Sequence, residues 1–167
     1  MRLSVATWPP PDVREMIAAL HRPPHPKVTW AAPEQWMVKL RPLGTVSERL
    51  VPELADALEA ELSGAGTALC AFGPATKRHW GQWLGLPVTG LDELAEVVFA
   101  ATAGIVPVTH PQPFEAYLII ARGHVPKELA GEPIEGEWAA RTIELVADRS
   151  APGRPRFENL ASFSLDT

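Results

Sequence analysis

The chain is poor in cysteine, in tyrosine and in positive charge. A single cysteine, Cys70, stands among 167 residues, which excludes an intrachain disulfide and any cysteine-rich zinc site. A single tyrosine, Tyr117, is set against six tryptophans, whose indoles can serve a core or a ligand cleft. No apolar run approaches the roughly 20 residues that span a bilayer. The opening 1-MRLSVATWPPP-11 meets prolines where a signal peptide would carry its apolar stretch. Together these absences predict a cytoplasmic protein with no membrane segment. Fifteen Lys and Arg against 20 Asp and Glu leave a formal net charge of -5. An acidic chain is not built to capture long nucleic acid, whose affinity rests on phosphate neutralisation. A locally basic cleft could still hold a small anion.

Two further absences bear on chemistry. No glycine-rich phosphate loop occurs, and no cluster of His, Asp and Glu has metal-ligand spacing. His21 and His25 stand four apart, but Pro23 and Pro24 lie between them and exclude the helix that would bring both to one face. The sequence therefore offers no metal site and names no cofactor.

What is present is a core. Hydrophobic residues make up 46% of the chain, and the length fits one compact domain or two tightly fused lobes. The segment 2-RLSVAT-7 reads as an opening strand that breaks at Pro9. Asp12 then caps a helix with Val13, Met16, Ile17 and Leu20 on one face, stopped by the prolines of 21-HRPPHP-26. Short strands are expected around Val28–Trp30 and Trp36–Arg41. A second helix is expected from Ser47 to Leu62, with Pro52 in its first turns and Leu50, Leu54, Leu58 and Leu62 on one side. Next, 67-TALCAFG-73 and 79-HWGQWLGLPV-88 read as strands, and Asp92–Ala103 as a third amphipathic helix with Gly104 as its stop. After the loop 107-PVTHPQP-113 come the strand 117-YLIIAR-122, a loop over 123–137, and the strands 140-ARTIELVAD-148 and 156-RFENLASFSL-165. Strand runs outnumber crossovers, which favours antiparallel α+β packing over a doubly wound parallel sheet.

One stretch, 33-PEQWMVKLRPLG-44, poses a question. With a side-chain period of two, Trp36, Val38 and Leu40 face the core, and Met37, Lys39 and Arg41 share the other face. The pattern of strand, helix and arginine-ended strand returns around Arg122.

On these residues the chain resembles the 2H phosphoesterase superfamily, in particular its bacterial 2′-5′ RNA ligase and RNA 2′,3′-cyclic phosphodiesterase branch. The likeness runs almost end to end. It covers 2-RLSVAT-7 with its prolines and helix, 30-WAAPEQWMVKLRPLG-44, 80-WGQWLGL-86, 114-FEAYLIIAR-122 and 156-RFENLASFSL-165. It implies a single domain over residues 1–167, α+β and bilobal, with two antiparallel sheets around a central cleft and helices outside. It also implies a metal-independent chemistry by two His-x-Thr/Ser motifs facing each other across that cleft. In the positions that match, Met37 and Lys39 replace the first histidine and threonine, and Tyr117 and Ile119 replace the second pair. Methionine transfers no proton, and an unperturbed tyrosine, with a pKa near ~10, is a poor base at neutral pH. Imidazoles suit that work because they titrate near neutrality.

The resemblance thus supplies a cleft whose members are Met37, Lys39, Arg41, Tyr117, Ile119 and, at its rim, Trp8. Three functions follow from it. In the first, the ancestral phosphodiesterase chemistry is lost and the cleft binds a small anionic or amphiphilic ligand, with Lys39 as a point charge and Arg41 as a fork. In the second, chemistry has changed, and Tyr117 and Lys39 act as an acid/base pair on a non-RNA substrate, the lysine lowering the phenol's pKa. In the third, cyclic phosphodiesterase activity persists through a displaced histidine. His110, in the loop before the second motif strand, is the candidate. His79, in 77-KRHW-80, reads as a surface turn or strand start, and His124 as a loop residue. Each of the candidates also has a plain structural reading. Lys39 and Arg41 suit a solvated strand face, Tyr117 a plug with a packed hydroxyl, and Trp8 the core. The sequence sets no oligomeric state.

Overall fold

The structure is a computed structural model that describes residues 1–166. Its strands are β1 (Arg2–Thr7), β2 (Val28–Trp30), β3 (Val38–Thr45), β4 (Ala68–Phe72), β5 (Lys77–His79), β6 (Trp83–Thr89), β7 (Ala116–Gly123), β8 (Gly136–Ala140), β9 (Thr142–Asp148) and β10 (Phe157–Ser164). Three α-helices, α1 (Pro11–Ala18), α2 (Val51–Leu62) and α3 (Asp92–Thr102), separate them. The first helix begins at Pro11, one residue before the expected cap, and Pro10 rather than Asp12 holds the N-cap position. A proline at the first helical position loses no bond, because its missing N–H would have had no partner there. Pro52 sits likewise in the first turn of α2, so that helix runs on to Leu62.

The apolar stripes face inward as their spacing requires. Leu54, Leu58 and Leu62 of α2 are fully buried, as are Val98 and Leu91 around α3 and Val13 and Ile17 of α1. Met16, read as part of the first helix's apolar face, is instead 39% exposed. One continuous cluster of buried side chains runs behind both halves of the sheet. Cys70 belongs to it, and burial pushes its thiol up to about 11. It is a core residue, not a nucleophile.

Two of the expected strands prove more divided. The stretch read as one strand over 79–88 is a hairpin, β5 and β6, turning at Trp80 and Gly81, both with positive φ. The loop expected over 123–137 yields β8 at its end, an edge strand that pairs with β4. Arg141 then separates β8 from β9. No helix among the described residues is long and apolar enough to cross a membrane.

All pairings between these strands are antiparallel, in the order β10-β9-β1-β3-β7-β6-β4-β8, with β2 on β7 and β5 on β6. The sheet is continuous only through a single rung, Val38 opposite Leu118, where β3 meets β7. Two antiparallel halves therefore meet at one point and diverge beyond it. Each of the meeting strands also carries one extra residue just past the rung. Against β1, Val5 faces Arg41 and Ala6 faces Lys39, which leaves Leu40 over. Against β6, Leu84 faces Ala121 and Gly85 faces Ile119, which leaves Ile120 over. Such a bulge bends its strand and breaks the strict alternation of faces.

Candidate ligand-binding groove

Val38 and Leu118 are both fully buried. Their neighbours must point the other way, and the same antiparallel rung brings Met37, Lys39, Tyr117 and Ile119 to one side. All four line a cavity of about 1220 Å³. From the rung it extends along the split between β3 and the segment 106–115, so His110 and Glu115 line it as well. The walls supply three cations, Lys39, Arg41 and Arg122, against one carboxylate, Glu115.

Lys39 is open to solvent at the groove surface, yet the walls still withdraw water from it. That desolvation lowers its pKa, helped by Arg122 and Arg2 and opposed by Asp148. Arg122, exposed on β7, is the second free cation here. It lies in register with Thr29 on β2 and Trp83 on β6, and all three line the cavity.

Arg41 does not share Lys39's position, as strict alternation predicts. The bulge at Leu40 puts Leu40 and Arg41 on the same, helix-covered side, and Arg41 is only 5% exposed. Its Nη1 donates to Thr102 Oγ1 at 2.7 Å, and its Nη2 to the Val106 carbonyl. The guanidinium also lies over the Phe99 ring, 5.3 Å from the centroid. Arg41 forms part of the cavity wall, but its fork is engaged in tying β3 to the end of α3. The arginines of the sequence echo thus part company: one extra residue before Arg41 turns it inward, while Arg122, one position further past its bulge, turns outward.

Tyr117 is held in an aromatic corner. Its ring meets the edge of His79 at 4.3 Å and of Trp83 at 5.1 Å, and His79 stacks on Trp83 at 3.7 Å. Gly85 makes room for this. A Cβ there would stand 2.7 Å from the Trp83 ring and 3.4 Å from Tyr117. Burial, then the Glu115 charge, raise the Tyr117 pKa. Lys39 is not among the charges that move it, whereas a lysine paired with the phenol would lower its pKa.

Trp8 lies outside the cavity lining. It packs against the small cluster of Met37, Ala6 and Val146, and its Nε1 donates to Asn159 Oδ1 at 3.0 Å. His79, by contrast, is closer to the site than 77-KRHW-80 suggests. It stands behind Tyr117, with Nε2 buried and without a hydrogen-bond partner. Burial lowers its pKa, with Lys77 adding to the effect and Glu115 opposing it. The signal for it was the β5–β6 hairpin, whose register sets His79 opposite Trp83 and Trp83 opposite Arg122. Among the described residues no group of three or more His, Cys, Asp or Glu is placed to hold a metal ion.

No family model matches the chain, and no curated protein matches it. Solved structures do. TT0787 of Thermus thermophilus is similar over 99% of this chain and 98% of its own, at a TM-score of 0.85 and 21% identity. E. coli LigT in complex with 3′-AMP is similar over the same shares, at 0.84 and 23%. A structure described as a phosphoesterase follows at 0.81 and 23%, again over 99% and 98%. The chain has the fold that these proteins share, mixed α/β with antiparallel strands, as the resemblance implied.

Proposed function

We propose that this protein is a 2H phosphoesterase relative, close in type to the 2′-5′ RNA ligases. Its groove binds a small anionic or amphiphilic ligand without the ancestral proton transfers. The observation that carries this reading is the set of four side chains around the Val38–Leu118 rung. Where the superfamily has two histidines and two hydroxyls, this chain presents Met37, Lys39, Tyr117 and Ile119.

A thioether and a butyl group neither give nor take protons. The raised phenol of Tyr117 stays protonated at neutral pH, so it can donate a hydrogen bond but cannot act as a base. Lys39 supplies a point charge, and Arg122 a planar fork suited to a carboxylate or phosphate. The fold has a record of such ligands: E. coli LigT is known in complex with 3′-AMP, NADP+, ATP and phosphate.

One observation favours a second reading. His110 lines the groove, so an imidazole is present for a retained cyclic phosphodiesterase activity. Hydrolysis of a 2′,3′-cyclic mononucleotide, with no metal added, separates the two. The binding reading expects no turnover, and calorimetric titration with phosphate and 3′-AMP should show affinity that drops about tenfold or more in Lys39→Ala. Turnover lost in His110→Ala would establish the second reading in its place. Turnover that survives that substitution but not Tyr117→Phe would restore changed chemistry.

A further inference from the structure

Resting on the anion-binding reading, we propose that the groove's ligand is an anionic amphiphile with a single apolar chain. Its head lies between Lys39 and Arg122, and its chain runs along the split between β3 and the segment 106–115.

The groove is not uniform along its length. The two cations free to meet an anion, Lys39 and Arg122, line the same groove, Lys39 one residue past the rung on β3 and Arg122 four residues past it on β7. The split beyond the rung is walled mostly by apolar side chains, Leu40, Leu43, Phe99, Val106, Val108 and Phe114, with His110 and Glu115 among the polar groups beside them. Arg41 also belongs to that wall, but Thr102, the Val106 carbonyl and the Phe99 ring already surround its guanidinium. Met37 and Ile119 line the groove beside the cations, next to the rung, and offer a polar ligand nothing to bond. A hydroxyl buried against them would lose its water without compensation, whereas methylene groups gain by burial there.

Size points the same way. Pockets for compact small molecules run to roughly 300–1,000 Å³, and this cavity reaches about 1220 Å³. The segment that roofs the split carries Pro107, Pro111 and Pro113. Each fixes its own φ and lacks an N–H, and the segment forms no strand that would pair with β3 and close the split. Val108, 38% exposed, is left with apolar surface that an alkyl chain would cover.

The test is calorimetric titration with hexyl, octyl and decyl phosphate, each below its aggregation concentration, beside inorganic phosphate, 3′-AMP and decanol. Affinity should climb with chain length, by up to about fourfold for each methylene fully buried. Decanol should bind more weakly than decyl phosphate. Lys39→Ala should weaken every alkyl phosphate and keep the chain-length slope, whereas Val108→Asp, at an exposed position the fold tolerates, should flatten it. Affinity independent of chain length, with phosphate still held in a Lys39-dependent way, would remove the amphiphile and leave the anion site. A slope untouched by Val108→Asp, or decanol matching decyl phosphate, would overturn the placement of chain or head. No binding by any anion would remove both readings.

Discussion

Lys39 and Tyr117 face the same groove and are moved by it in ways that can be read separately. Lys39 carries its charge only below its pKa, and desolvation followed by the Arg122 and Arg2 charges lowers that value. Anion affinity should therefore fall with rising pH before the ordinary lysine value of 10.5 is reached. Arg122→Ala should lower affinity at neutral pH and move the falling limb upward, because one repelling charge is gone. A limb unmoved by that change would mean that Lys39 is not the titrating anchor. The sign for folding is opposite: with the folded pKa below the unfolded one, the charged lysine opposes folding. That cost is relieved as pH rises through the folded value. For Tyr117, absorbance at the phenolate band gives a clean titration, since the chain has one tyrosine. The midpoint should lie above 10.0. A midpoint below it would reinstate a phenolate supported by Lys39.

At the level of the elements, two bulges decide which side chains reach the groove. Alternation alone sorts Met37 from Val38 and Tyr117 from Leu118, and these are the positions the sequence placed best. It fails past Leu40 and Ile120, where one extra residue each changes the face. Arg41 then becomes a buried tie between β3 and α3. Arg41→Leu should destabilise the protein by about 1–3 kcal/mol, because Thr102 and Val106 lose a charged donor in a buried place. A chemical denaturation midpoint equal to wild type would show that the tie contributes nothing. Gly85 has a comparable role on β6. Gly85→Ala would drive a methyl into the Trp83 ring, at an expected cost of about 1–3 kcal/mol, and should weaken ligand binding by tilting the Trp83–Tyr117 corner. The hairpin that supplies this corner went unread in the sequence because Trp80 takes a positive φ, a conformation rare for a bulky side chain.

On the scale of the whole molecule, the two halves share one core, so stability should respond as a unit. Leu58→Ala, at a fully buried position of α2, should cost about 2–5 kcal/mol and lower a single unfolding transition seen alike by fluorescence and circular dichroism. Two separate transitions would show that the halves unfold independently. The sequence by itself determined the antiparallel α+β class, the three helical stripes and the strand pair carrying Met37, Lys39, Tyr117 and Ile119. Each of these rests on local periodicity or on the run of residue types along the chain. It also ranked His110 above His79, because local context shows only that one precedes a motif strand and the other follows two basic residues. The tertiary structure set His79 against Tyr117, withdrew Arg41 to α3, brought Arg122 to Lys39 and opened the split beside β3. Those outcomes depend on register and on one extra residue in each of two strands, and register is fixed by partners distant in sequence.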